Sequence, residues 1–316
     1  MRPGGATLRG TLCGAGAAIA WAIYNVGVDI GRSSGFTGAD LVILRYAVPA
    51  LLVLPYALTR SRRLVRVGLG RALVLTIGIG PPFSYLINLG FGMAPLAHAV
   101  VIGPAMTMIV ANTLSLVVER RAIPPQRLLG MAILIVGLAL VGFDQPEHKS
   151  LTHAPWVGDL CFMGSGFLWG SFTYLLGRWR LDPVDTTATV ALISTVLFGP
   201  IYVAFFSPSH QPVVAWVMQA IYQGVLGGLL AIIAFAAAIS LLGSGRAALF
   251  TALVPPLAAF LAVPMSGSVP SLLQWAALLL ASLGLIVSLD LTNRRRGASV
   301  PVDPPSKFVY DKCDQP

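Results

Sequence analysis

From Leu96 to Val118 the chain contains no Asp, Glu, Lys or Arg. Such a run reaches the roughly 20 apolar residues that a helix needs to cross the hydrocarbon core of a bilayer. A continuous apolar segment in lipid must satisfy its own backbone hydrogen bonds, and a helix does so. Similar stretches recur along the chain. The first runs to about Val28, followed by Phe36–Leu58, Ala72–Phe91, Leu96–Val118, Leu128–Phe143, Trp156–Leu176, Thr187–Phe206, Trp216–Leu242, Ala247–Met265 and Leu272–Leu289. Charged residues make up only 10% of the chain, against about 25% for a soluble domain. The expected fold class is an all-α membrane protein with ten transmembrane helices, whose surroundings are the lipid bilayer.

One segment appears twice. Gly10, Leu12, Cys13, Gly16 and Trp21 of GTLCGAGAAIAW return as Gly158, Leu160, Cys161, Gly164 and Trp169 of GDLCFMGSGFLW, at a constant offset of 148 residues. Each copy opens an apolar run, so the chain reads as two homologous halves. Residues 7–144 form the first five-helix repeat and 156–291 the second. The polar stretch 145–155 is the linker, and 292–316 is a Pro-rich tail expected to be disordered and cytoplasmic. The internal recurrence also argues against residues 1–28 being a removable leader.

Charge placement sets the topology. With the N-terminus inside and the spans alternating, the inner segments hold Arg2, Arg9, Arg60, Arg62, Arg63, Arg66, Arg71, Arg120, Arg121 and Arg127. They also hold Arg178, Arg180, Arg246, Arg294, Arg295, Arg296, Lys307 and Lys312. The outer segments hold only Arg32 and Lys149. This bias predicts both termini in the cytoplasm. It also accounts for the net charge of +9 without a nucleic-acid partner. Five spans per half make the second half enter the membrane from the opposite side, giving inverted repeats of the kind that support alternating access.

Several strings resemble the drug/metabolite transporter superfamily, and within it the EamA-type ten-span transporters. Leu44-Arg45-Tyr46-Ala47 is similar to that family's Arg-aromatic pair. Pro104, Glu119-Arg120, Gln126, Gly130 and Gly137 follow its order, and Pro255, Gln274 and Gly284 repeat part of it. The chain departs at Ser266-Gly267-Ser268-Val269-Pro270, where the family's second Glu is missing, and no counterpart of Arg45 occurs in the seventh span. The resemblance implies a multi-pass cell-membrane transporter of small-molecule substrates (the inner membrane, if the source is bacterial). It tilts the substrate toward amino-acid-like solutes moved outward. Import of a metabolite and multidrug export stay open, as do monomer and homodimer.

Arg45 is the sharpest single residue. It sits roughly 12 Å into its span at the helical rise, where a charge costs about 2.5–3.5 kcal/mol on insertion scales. Two roles are open to it: holding a substrate carboxylate or phosphate, or tying down carbonyls at a helix break. Trp21 and Trp169, placed alike in the two halves, are candidate cavity walls. Tyr24, Asn25, Tyr46, Tyr85, Thr173, Tyr174 and Gln223 are candidate polar points. Gly78, Gly80, Pro81 and Pro82 are expected to break the third span. Gly227 and Gly228 are expected to interrupt the eighth, beside Gly224. Pro104 and Pro255 are further candidate hinges.

Other chemistry finds little support. Asp and Glu avoid the middle of every span, so a central carboxylate proton relay is not indicated. The chain has no phosphate-binding loop and no metal-ligand spacing, so no cofactor is expected. Gly164-Ser165-Gly166 resembles part of an intramembrane serine protease site, but His148, His153 and His210 fall in loops and leave no base at that depth.

Overall fold

The computed structural model describes residues 3–65, 67–120, 122–143, 155–179, 181–242 and 250–288. Most of the expected linker, the tail, and basic residues such as Arg66, Arg121, Lys149, Arg180 and Arg246 lie outside these. Among the described residues the chain is helical, with no strand. The helices are α1 (Pro3–Ser33), α2 (Gly38–Thr59), a short α3 (Ser61–Val65), α4 (Leu69–Ile79), α5 (Pro81–Phe91), α6 (Leu96–Glu119) and α7 (Pro125–Phe143). They continue as α8 (Pro155–Trp179), α9 (Pro183–Phe205), α10 (Val213–Gln219), a π-helix (Ala220–Leu230), α11 (Ala231–Leu242), a 3₁₀ turn (Thr251–Leu253), α12 (Val254–Ser266) and α13 (Leu272–Ser288). Among the described residues, seven helical segments are long and apolar enough to cross a membrane: Thr7–Ser33, Gly38–Thr59, Leu69–Phe91, Leu96–Glu119, Pro155–Trp179, Val184–Phe205 and Val213–Ile239. The other three expected spans are shorter apolar helices: Pro125–Leu140, Thr251–Ser266 and Leu272–Ser288.

Helices from the earlier and later parts of the sequence pack on one another. α1 packs on the π-helix, α11 and α12, while α8 packs on α4, α5 and α6. α2 pairs with α9, and α7 with α13. The repeated motif explains part of this. A methyl added at Gly10 would lie 2.6 Å from Leu242, and one at Gly158 would lie 2.6 Å from Ala94 and 3.0 Å from the Gly90 carbonyl. Small residues let helix backbones approach closely in lipid. Leu12 and Leu160 point outward, both more than half exposed, as suits a side chain facing lipid. Gly130 and Gly284 meet backbone to backbone, since a Cβ on either would sit 2.5 or 2.8 Å from the other's carbonyl oxygen.

The α2–α9 pair is pinned at both ends. The Tyr202 hydroxyl donates to Asp40 Oδ1 at 2.6 Å, and the Tyr56 hydroxyl donates to Asp185 Oδ1 at 2.6 Å. The N-terminal end of each helix thus meets the C-terminal end of the other, so the two run antiparallel. Asp40 also closes a capping box with Thr37, accepting from its backbone N–H at 2.8 Å while the Thr37 hydroxyl accepts from the Asp40 N–H. Ser209 adds a further donor to Asp40. This fully buried carboxylate is therefore well supplied with donors.

Basic residues gather at one end of the bundle. Arg178 pairs with Glu119 at 3.5 Å, and the Arg71 guanidinium lies 5.5 Å from the Trp179 ring centre. These contacts join the C-terminal ends of α6 and α8 to the N-terminal end of α4. At the opposite end, His98 Nδ1 lies 2.8 Å from Asp159 Oδ1, and Arg32 donates to the Phe36 carbonyl at 2.6 Å.

Candidate functional site

The expected break in the third span is present. α4 stops at Ile79, Gly80 is extended (φ −83°, ψ −152°), and Pro81 opens α5. Pro at the first helical position loses a donor that had no partner there. The ended helix leaves carbonyls unsatisfied, and the Tyr46 hydroxyl donates to that of Ile79 at 2.6 Å. Gly78 lets α8 come close, since a Cβ there would lie 2.9 Å from that of Phe172.

The eighth span differs from the expected interruption. It does not break at its glycines but continues as the π-helix, with α-helix on either side. Gly224 and Gly228 face α2, where an added Cβ would meet Val48 at 2.4 Å and the Arg45 carbonyl at 3.1 Å. Gly227 faces the Tyr24 ring, which an added Cβ would strike. On α2, Pro49 lacks the N–H that would have bonded the Arg45 carbonyl. The backbone at Arg45 is thus loosened within its own helix and pressed by glycines of the other half.

Between the halves lies a cavity of about 400 Å³. The first half supplies Trp21, Tyr24, Asn25, Arg45, Phe83, Val100, Gly103 and Pro104, and the second supplies Ser165, Gly166, Trp169, Thr173, Phe235, Thr251 and Val254. Among these described lining residues Arg45 alone is charged. Its guanidinium carbon stands 4.6 Å from the Tyr24 ring centre and 5.5 Å from that of Phe83, within the range of cation–π attraction. Arg45 is 6% exposed, and its Nη1 has no hydrogen-bond partner. The Tyr24 hydroxyl is buried and unpartnered as well. The Asn25 amide nitrogen donates to the Trp21 carbonyl at 2.8 Å, which leaves its oxygen as an open acceptor.

Six of the expected polar or aromatic points therefore converge: Trp21, Tyr24, Asn25, Arg45, Trp169 and Thr173. The other four lie elsewhere. Tyr46 turns toward α4 and a void of about 20 Å³ between α2 and α9. Tyr85 packs against the cluster around Ala39, Tyr46 and Tyr202. Tyr174 accepts from Arg178 at 3.2 Å, near the basic end. Gln223 is buried in the π-helix, donating to Gln219 at 3.4 Å. Of the hinge candidates, Pro104 lines the cavity, and Pro255 is buried at the start of α12. Two wall residues escaped the sequence reading. Phe83 sits edge-on to Trp169 with centroids 5.4 Å apart, and Phe235 lies 5.3 Å from Trp21. The matched tryptophans were the available signal, since each meets a ring from the opposite half at a steep angle.

Residues 156–289 match the model of the EamA-like transporter family, a transporter family within the drug/metabolite transporter superfamily. A solved crystal structure of a protein shares the fold at a TM-score of 0.58 and 18% identity, covering 88% of this chain and 96% of that one. No curated protein matches the chain.

Proposed function

We propose that this membrane protein, with its EamA-like second half, is a secondary transporter. It moves small organic metabolites by alternating access between two inverted five-span halves, with amino-acid-like solutes exported as the physiological direction. The observation that carries this reading is the cavity. It lies where the halves meet, draws its walls from both, and is lined by Arg45 and Tyr24, whose buried Nη1 and hydroxyl lack hydrogen-bond partners. Its size falls at the small end of the ligand-pocket range of about 300–1,000 Å³.

The reciprocal contacts support the inverted arrangement. α2 and α9 hold the same place in their halves, run antiparallel, and exchange Tyr-to-Asp bonds. Trp21 and Trp169 each meet a phenylalanine of the other half. Two near-equivalent halves offer two near-equivalent packings, one open to each side. The kinked third span and the π-helical eighth are the segments best suited to change shape.

The test is counterflow. Purified protein in liposomes preloaded with unlabelled amino acids should accumulate labelled ones saturably, and cells producing it should retain less of the same solutes. Proteoliposomes no more permeable than empty ones to amino acids, nucleosides and cationic drugs alike would sink the transporter reading.

A further inference from the structure

The cavity is electrostatically one-sided. Arg45, itself only 6% exposed, brings a positive charge into it, and no Asp, Glu, Lys or His is among the described residues lining it. The tyrosine and phenylalanine faces beside the guanidinium offset part of its desolvation, yet Nη1 donates to nothing. Beside it the Tyr24 hydroxyl is a second uncommitted donor. The rest of the wall is largely apolar, with rings from Trp21, Phe83, Trp169 and Phe235.

We propose that the cavity takes an aromatic monocarboxylate, its carboxylate on Arg45 and the Tyr24 hydroxyl and its ring among Trp21, Phe83, Trp169 and Phe235. The proposal deepens the transport reading and rests on it. A carboxylate fits a fork of N–H donors and balances one positive charge. A dianion would leave a negative charge unmatched in an apolar site, and an amine would face the guanidinium with no carboxylate to hold it. A short aliphatic acid would satisfy Arg45 but leave the aromatic walls uncovered. An aromatic amino acid meets the description, with the open Asn25 oxygen as acceptor for its ammonium group.

The test uses the full chain in lipid nanodiscs and four probes: 3-phenylpropionate, its neutral analogue 3-phenylpropanamide, phenethylamine and propionate. 3-Phenylpropionate is expected to bind saturably, with phenethylamine weaker by about 10-fold or more, the scale of one charged hydrogen bond lost, and propionate weaker by about 10-fold or more for want of a ring to bury. Arg45→Gln should weaken the acid by about 10-fold or more while leaving the neutral amide within about threefold. Tyr24→Phe, a milder change, should weaken the acid in the same sense should Arg45→Gln not fold. The proposal is overturned if 3-phenylpropionate fails to bind, if phenethylamine binds equally well, or if Arg45→Gln weakens acid and amide alike. The last result would assign Arg45 a purely architectural role. Uptake into proteoliposomes separates this proposal from the one beneath it. Binding of the acid without uptake sinks the transporter reading and leaves the ligand class standing. Uptake of phenethylamine but not the acid does the reverse.

Discussion

The Tyr202 hydroxyl and the Asp40 carboxylate, 162 residues apart in sequence, meet at 2.6 Å, and Tyr56 and Asp185 repeat the arrangement at the other end of α2 and α9. The two contacts differ in burial. Asp40 is fully buried and Tyr202 nearly so, whereas Tyr56 and Asp185 are only half-buried. A hydrogen bond to a charged group contributes about 1.5–3 kcal/mol, more when solvent is excluded. Tyr202→Phe should therefore lower the melting temperature in detergent clearly more than Tyr56→Phe. Equal or reversed shifts would show that burial does not set the strength of these contacts.

Gly130 and Gly284 bring the backbones of α7 and α13 together. Valine at either position puts methyl groups against a carbonyl oxygen with no flexible side chain to move aside. Overpacking costs about 1–3 kcal/mol or more, so Gly130→Val and Gly284→Val should each reduce folded yield and melting temperature. At Gly177, where an added Cβ meets nothing, alanine should leave both measurements unchanged.

His98, 1% exposed, faces Asp159 across the α6–α8 contact. Removing one member of a buried pair leaves the other with its desolvation uncompensated. Asp159 retains some access to solvent, so His98→Ala should cost about 1–3 kcal/mol, below the full penalty for a sealed pair. Thermal unfolding measures this, and the loss should shrink in His98→Ala/Asp159→Asn, where no charge is stranded.

The basic residues at the ends of α2, α4, α6 and α8 predict which face is cytoplasmic. In a background lacking Cys13, Cys161 and Cys313, Ser207→Cys should react with an impermeant maleimide on intact cells. Ser61→Cys should react only after permeabilisation. The opposite pattern would invert the topology.

Much of this architecture can be read from the chain because span length and charge placement are linear properties of sequence. Each expected apolar segment is helical where described, and the Gly80-Pro81 break falls where the residues put it. Helical phase was harder to read. Arg45 and Tyr46 are neighbours in sequence but about 100° apart around a helix, so Arg45 faces the cavity while Tyr46 caps α4. Thr173 and Tyr174 divide in the same way. The π-helix was hidden because glycines that break a helix and glycines that admit a neighbour look alike in sequence. The Tyr–Asp contacts were hidden because hydropathy does not say which spans are adjacent.

The solitary charge of the cavity has one more consequence. Among the described residues that line it, Arg45 supplies all of the formal charge. Among the described lining residues, the membrane potential, worth about 2.3 kcal/mol per unit charge per 100 mV across the full field, acts on the Arg45 charge when the site is empty. It acts on a nearly neutral pair when a carboxylate is bound. Voltage would thus bear chiefly on the unloaded protein.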